Sequence, residues 1–234
     1  VIAPYHFWFP QIYDGAPLSS TIAFSLLPKI ALVNLFIKIW SSIATIISTF
    51  NTFFLLVGIY CTFFGVFKML KQKRLKKLYI YSSISNFGLL FCILIDNSFD
   101  SISVIYFFLL IYLITSILFW LIFIFIYSNE IKKYNTTNIN FPVFLNSFNS
   151  LFYQNKLFGI SICFVFFSLA AIPPFVGFFS KLYIFVVLLK NHQYEIAIFL
   201  IYIGVFGSYY YIKFLKIMCF ENISLKNQTQ NKMG

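Results

Sequence analysis

Charge is what this chain has least of. Only 10% of its 234 residues are charged and six are acidic, against about 25% charged residues in soluble globular domains. With 61% hydrophobic residues and a mean hydropathy of +0.88, the deficit excludes a soluble domain and points to an integral membrane protein. Clusters of cysteine and histidine are missing too. Cys61, Cys92, Cys163 and Cys219 sit in separate apolar runs and match no metal-ligand or redox spacing, so they read as small lipid- or core-facing residues. There is no glycine-rich nucleotide fingerprint and no metal-binding histidine array, so nothing in the sequence carries electron transfer. The first 20 residues hold no lysine or arginine. That leaves out both the positive n-region of a signal peptide and the arginine-rich face of a transit peptide, and import is not signalled.

What is present is apolar length. Crossing about 30 Å of hydrocarbon takes roughly 20 apolar helical residues, and six runs qualify, at 22–39, 43–67, 78–95, 102–127, 159–190 and 194–213. A backbone in lipid must satisfy its own hydrogen bonds, and these runs lack the alternation of barrel strands. They are therefore predicted as about six transmembrane helices of an all-α membrane domain over 18–220. An aromatic, proline-broken segment (1–17) precedes it and a polar tail (221–234) follows. Assigning loops alternately to two sides puts 13 of the 17 basic residues on one side, in 68–77, 128–156 and the C-terminal stretch from Lys213. The other side holds Lys38 and Lys190, with Asp96 and Asp100 in its short loop. This asymmetry predicts the C-terminus on the cytoplasm-like or matrix-like face, and it makes the basic clusters topology signals rather than nucleic-acid sites. The abundance of Phe, Lys, Asn and Ile over Arg, Ala and Val is the residue choice of an AT-rich genome such as a mitochondrial one.

The same charge count bears on 159–190, which carries Pro173 and Pro174 near its middle. Two crossings there would put the C-terminal basic cluster on the wrong side, and each piece is short for a span, so one broken helix is expected. Two lysines remain inside spans, Lys29 directly after Pro28 and Lys181 seven residues after Pro174. Seven residues are about two helical turns, which places Lys181 on the same face as Pro174. An interior proline frees the carbonyl four residues back, here those of Phe24, Leu169 and Ala170. Such breaks in a membrane mark wet, protein-lined positions. An ammonium at the bilayer centre costs at least about 2.5–3.5 kcal/mol, and intramembrane ionisable residues are by default candidates for proton or ion pathways. All six acids lie at span ends or in loops. Either these lysines are partly neutral, or a carboxylate comes from another subunit. The plainer alternative for both is structural: a long side chain snorkelling to the interface.

The stretches APYHFWFPQIYDGAP, FSLLPKIALVN, LKKLYIYSSISNFG, SLAAIPPFVGFFSKLY and IGVFGSYYYIKFLKIM, in that order, resemble the antiporter-like membrane subunits of respiratory complex I, most of all the subunit 2 branch. The resemblance runs to about Phe220. It implies a fold of inverted five-helix repeats, each with a broken helix. This chain would correspond to the second repeat plus the helix preceding it, in the C-terminal portion of such a subunit. It further implies that Lys29 and Lys181 transfer protons along a central row of lysines. His6 and Trp8 match an FHxW turn, which makes His6 a candidate relay residue; an interfacial aromatic belt is the alternative for that turn.

The family's first-repeat lysine and buried glutamate are absent here, and so is its last helix. The resemblance therefore implies a split subunit whose first repeat comes from a companion chain. Asn86 stands where relatives carry histidine, which questions that helix's part in proton relay. The implied function is a proton-translocating, membrane-arm part of NADH:ubiquinone oxidoreductase in the mitochondrial inner membrane. Its partners would be the other membrane subunits and lipids, not nucleic acid. No cofactor or metal is expected in this chain; NADH, flavin, iron–sulfur clusters and ubiquinone would belong to partner subunits. The competing functions are a structural membrane-arm spacer without proton transfer, and a subunit of a multi-subunit cation/proton antiporter.

Overall fold

The computed structural model describes residues 8–43, 49–72, 74–94, 98–134 and 156–220. They form eight helices: α1 (Phe9–Gly15), α2 (Leu18–Ile43), α3 (Thr49–Met69), α4 (Leu75–Ile93), α5 (Phe99–Tyr134), α6 (Lys156–Ala170), α7 (Val176–Lys190) and α8 (Tyr194–Phe220). Four of them, α2, α3, α5 and α8, are long and apolar enough to cross a membrane, and α6 is a shorter apolar helix. The segment 78–95 corresponds to α4, which is 19 residues long but carries Ser82, Ser83, Ser85 and Asn86 in its middle. Its position explains this composition. α4 packs against α1, α3, α5, α7 and α8, and most of its residues are buried. A helix wrapped in protein has no lipid to match. The connection read at 128–156 starts later than the sequence suggested, because α5 continues to Tyr134; the rest of it, and the tail from 221, lie outside the described residues.

Close approach fixes the α3–α4 pair. A Cβ on Gly88 would stand 2.7 Å from the Gly58 carbonyl oxygen and from the Thr62 backbone nitrogen, and one on Gly65 would stand 2.8 Å from the Tyr81 carbonyl oxygen. Small residues let helices in a membrane pack backbone to backbone, where apolar side chains gain nothing over lipid.

Two larger apolar cores stack along the bundle, beside a smaller cluster of Phe9, Tyr13, Cys61, Ile80 and Ile84. One gathers Leu75, Leu78, Phe119, Trp120, Phe166 and Phe214 from the start of α4 and from α5, α6 and α8. The other gathers Val33, Trp40, Leu90, Ile105, Leu188 and Leu200 from α2, the end of α4, and α5, α7 and α8. The ends are tied separately. At the first, Asp14 pairs with Arg74 and, at 3.2 Å, with Lys77, and Tyr210 Oη donates to the Gln72 carbonyl at 2.5 Å. At the second, Lys190 pairs with Asp100 at 3.2 Å and Trp40 Nε1 donates to the Leu94 carbonyl at 2.7 Å.

The two prolines of 159–190 fall in the gap between α6 and α7. α6 ends in a left-handed residue, Ala171 (φ 56°). The Ile172 N–H reaches the Phe167 carbonyl at 3.2 Å and the Ala171 N–H reaches the Ser168 carbonyl at 3.1 Å, the paired C-terminal closure that satisfies orphan carbonyls. The half-helices then pass so closely that a Cβ on Gly177 would lie 1.8 Å from the Ser168 carbonyl oxygen. α6 serves the first core and α7 the second, so the break sits between them. Pro28 differs from the expectation of a break: α2 runs through it without interruption. A single missing N–H leaves the hydrogen bonds on either side to carry the helix.

Candidate functional site

Between the two apolar cores lies a layer of buried polar side chains, including Lys29, Ser82, Ser83, Thr115, Ser116 and Ser180. Lys29 is 7% exposed, held on α2 one residue after Pro28. Its Nζ donates to Tyr112 Oη at 2.6 Å. It also faces the rings of Tyr112, Phe87 and Tyr79 at 4.9, 5.4 and 5.5 Å from their centroids, within the roughly 6 Å over which a ring quadrupole attracts a cation. A short hydrogen bond and three ring contacts compensate this ammonium, and every partner is neutral.

Tyr112 is positioned from several directions. Its ring meets Phe87 edge-on at 6.2 Å, and its Oη lies 3.2 Å from Tyr79 Oη. Tyr79 in turn stacks on Phe119 at 4.7 Å. Tyr112, Thr115 and Ser116 share one face of α5, as spacings of three and four residues dictate. That small polar stripe was the sequence signal available for a site at Tyr112; without partners it read as part of an apolar run.

Lys181 stands on α7, beyond the break, and is half-buried. It does not reach out to a bundle end. Its side chain lines two small cavities, one of about 40 Å³ shared with Thr62, Ser85, Asn86 and Tyr211, the other of about 20 Å³ shared with Asn86, Tyr112, Thr115, Ser168 and Ser180. Each exceeds the roughly 10–15 Å³ that one water molecule needs, and each has several polar partners for it. Lys29 lines neither of these cavities, but Tyr112, which accepts its hydrogen bond, lines the smaller one, so Tyr112 belongs to the surroundings of both lysines. A third cavity, of about 620 Å³, runs between α1, α2 and α4, with Lys29, Pro28, Ser83 and Trp8 on its walls.

Pro173 and Pro174 are exposed, and His6 lies outside the described residues. Among the described residues no group of three or more His, Cys, Asp or Glu side chains could hold a metal ion. The described acids Asp14 and Asp100 are engaged at the bundle ends, and Glu195 is exposed in the first turn of α8. At the Asp14 end, Lys76 Nζ donates to the Ala16 carbonyl at 3.1 Å, and burial holds this ammonium below the usual lysine range while Asp14 opposes the shift.

A family model described as NADH:quinone oxidoreductase/Mrp antiporter, transmembrane, matches residues 1–229. The chain belongs to this family. Among curated relatives, subunit N of NADH-quinone oxidoreductase from Orientia tsutsugamushi is 33% identical over 98% of this chain and 47% of its own length. Chain 2 of NADH-ubiquinone oxidoreductase from Rhizopus oryzae is 30% identical over 94% of this chain and 42% of its own length. The chain thus spans somewhat under half the length of the curated relatives it matches. Solved structures share the fold. A chain of respiratory complex I from Thermus thermophilus superposes with a TM-score of 0.74 at 20% identity, over 94% of this chain and 46% of the other. A chain of the Mrp complex from Dietzia superposes with a TM-score of 0.77 at 19% identity, over 94% and 39%. Membership of the NADH:quinone oxidoreductase/Mrp antiporter family agrees with a multi-pass membrane bundle whose polar residues are gathered inside.

Proposed function

We propose that this chain is a proton-translocating part of the membrane arm of an NADH:quinone oxidoreductase, in which protons pass between Lys29 and Lys181. The observation that carries the reading is the polar layer itself: two intramembrane lysines have Tyr112 in their surroundings there, and apolar cores lie on both sides of it. Ionisable groups in such a position are rare unless they serve an ion or proton path. Protons would enter from the basic end of the bundle, pass from Lys29 to Lys181, and leave on the opposite side.

Moving one charge against 100 mV takes about 2.3 kcal/mol, and nothing in this sequence supplies it. The energy comes from electron transfer in partner subunits that hold NADH, flavin, iron–sulfur clusters and quinone. It arrives here as a shift of charge along the layer. The curated relatives are more than twice as long as the part of them matched here. The Rhizopus relative and the residue usage support the mitochondrial inner membrane, and the basic clusters support a matrix-side C-terminus.

Lys181→Met tests the function. NADH-driven proton uptake should fall while the complex still assembles; unaltered coupled turnover would overturn the reading. Mass spectrometry of the NADH-oxidising band on a native gel of solubilised membranes tests the setting. This chain should be in the band together with the helices that complete it, and its migration elsewhere would favour a separate antiporter assembly.

A further inference from the structure

Resting on the proposed proton function, the geometry points to a specific bridge: the Tyr112 hydroxyl is the group through which a proton leaves Lys29 for the cavity that Lys181 lines. Lys29 Nζ and Tyr112 Oη are 2.6 Å apart, within the 2.6–3.2 Å reach that direct proton transfer requires. Tyr112 also lines the cavity of about 20 Å³ with Asn86, Thr115, Ser168, Ser180 and Lys181. No other residue that touches the Lys29 ammonium in these contacts shares that cavity, since Tyr79 and Phe87 are absent from its walls.

A phenolic hydroxyl accepts one hydrogen bond while donating another, which is what a bridge needs. In the step, an N–H bond of the Lys29 ammonium breaks as Tyr112 Oη gains that proton. In concert, the original Tyr112 O–H bond breaks and its proton passes to a water in the cavity. That water passes one proton to the neutral amine of Lys181. Lys29 ends as the amine, Lys181 as the ammonium, and Tyr112 is a neutral phenol before and after. No oxidant or further reactant is consumed. Asn86 fits as a neighbour: it lines both small cavities, a side-chain amide can orient water, and it has no proton to exchange at physiological pH. The titratable step therefore falls to the two lysines, with the phenol between them.

The test uses the assembled complex in sealed membranes and compares Tyr112→Phe, Tyr112→His and Lys181→Met. Tyr112→Phe keeps the ring that packs on Lys29 and Phe87 and deletes only the bridge; NADH-driven proton uptake should drop at least tenfold with the complex still present on a native gel. Tyr112→His restores a group that both accepts and donates, so uptake should recover at least threefold over the phenylalanine variant. A packing role predicts the reverse order, because phenylalanine is the closer shape. Uptake in Tyr112→Phe equal to the unaltered chain, or histidine performing no better than phenylalanine, would overturn the bridge. Lys181→Met separates the two levels. If it is impaired and Tyr112→Phe is not, only the bridge fails; if neither is impaired, the proton function fails as well. Should phenylalanine prevent assembly, fluorotyrosine at 112 decides, because it keeps shape and hydroxyl but alters acidity. A changed uptake rate supports the bridge and an unchanged one refutes it.

Discussion

Lys29→Met separates the energetic role of the ammonium from its functional one. The substitution keeps most of the apolar stem and removes the charge. What is lost is a charge-assisted hydrogen bond to Tyr112 at 2.6 Å, worth about 1.5–3 kcal/mol, and a desolvated cation–π contact, worth about 2 kcal/mol. What is gained is relief from placing an ammonium inside a membrane, about 2.5–3.5 kcal/mol. The difference lies between zero and about 2.5 kcal/mol of destabilisation. Tyr112 is not orphaned either, because Tyr79 Oη remains 3.2 Å away. The variant should therefore assemble in near-normal amount on native gels. NADH-driven proton uptake, followed by fluorescence quenching in sealed membranes, should fall at least tenfold, which corresponds to a barrier raised by about 1.4 kcal/mol or more. Unchanged uptake would refute the carrier role of Lys29. Loss of the assembled complex would refute the balance of energies, and would make Lys29 a structural residue whose charge the bundle requires.

The packing makes further predictions. Gly88→Ala drives a methyl against the α3 backbone at 2.7 Å and should cost about 1–3 kcal/mol, seen as a lower Tm of the detergent-solubilised assembly. Gly177→Ala is harsher, with its Cβ at 1.8 Å from the Ser168 carbonyl oxygen; the half-helices must separate, so proton uptake should fall even in whatever complex assembles. Ala171→Gly should raise the Tm, because it relieves a left-handed φ of 56° at a gain of about 1 kcal/mol. Tyr13, outside the spans, is pushed up to about 12 by burial first and by Tyr79 second. Since its folded pKa is the higher one, its contribution is complete below pH 10 and drains away as pH rises through 12. Tyr13→Phe should flatten the alkaline loss of stability in that window, measured by thermal melts at stepped pH.

The sequence exposed the membrane character, the two lysines inside apolar helices and the interruption near Pro173, because each depends on composition or on residues close in the chain. The site between the lysines was hidden for the opposite reason. Tyr112 is 83 residues from Lys29, and one tyrosine in a Phe-rich apolar run looks like any other aromatic until a partner is placed beside it. α4 is expected as one more span on its apolar ends, and its serines and Asn86 sit in a helix that the others enclose. Only contacts distinguish a polar face turned inward from a weak span. Pro28 was expected to break a helix and does not. A single proline costs one hydrogen bond, whereas the interruption between α6 and α7 is built from Pro173 and Pro174 together with the closure at Ala171.

The absence of a carboxylate beside Lys29 among the described residues bears on how such a group could work. A carboxylate at 4 Å would attract the ammonium by about 4 kcal/mol at an effective dielectric of about 20, enough to hold its proton across about three pH units. A hydroxyl and ring faces hold it by comparable enthalpy only while geometry is kept, and they carry no opposing charge. A second positive charge arriving about 9 Å away would then contribute roughly 1.8 kcal/mol of repulsion at the same dielectric, a shift of more than tenfold in proton occupancy. The neutral contacts, less the cost of placing an ammonium in the membrane, leave a margin of only about 0–2.5 kcal/mol, the size of that repulsion, whereas an added carboxylate would outweigh it. On the proposed proton function, a lysine that binds and releases protons in response to charge nearby is better served by Tyr112, Phe87 and Tyr79 than by an acid, and this bundle keeps its described acids at the ends.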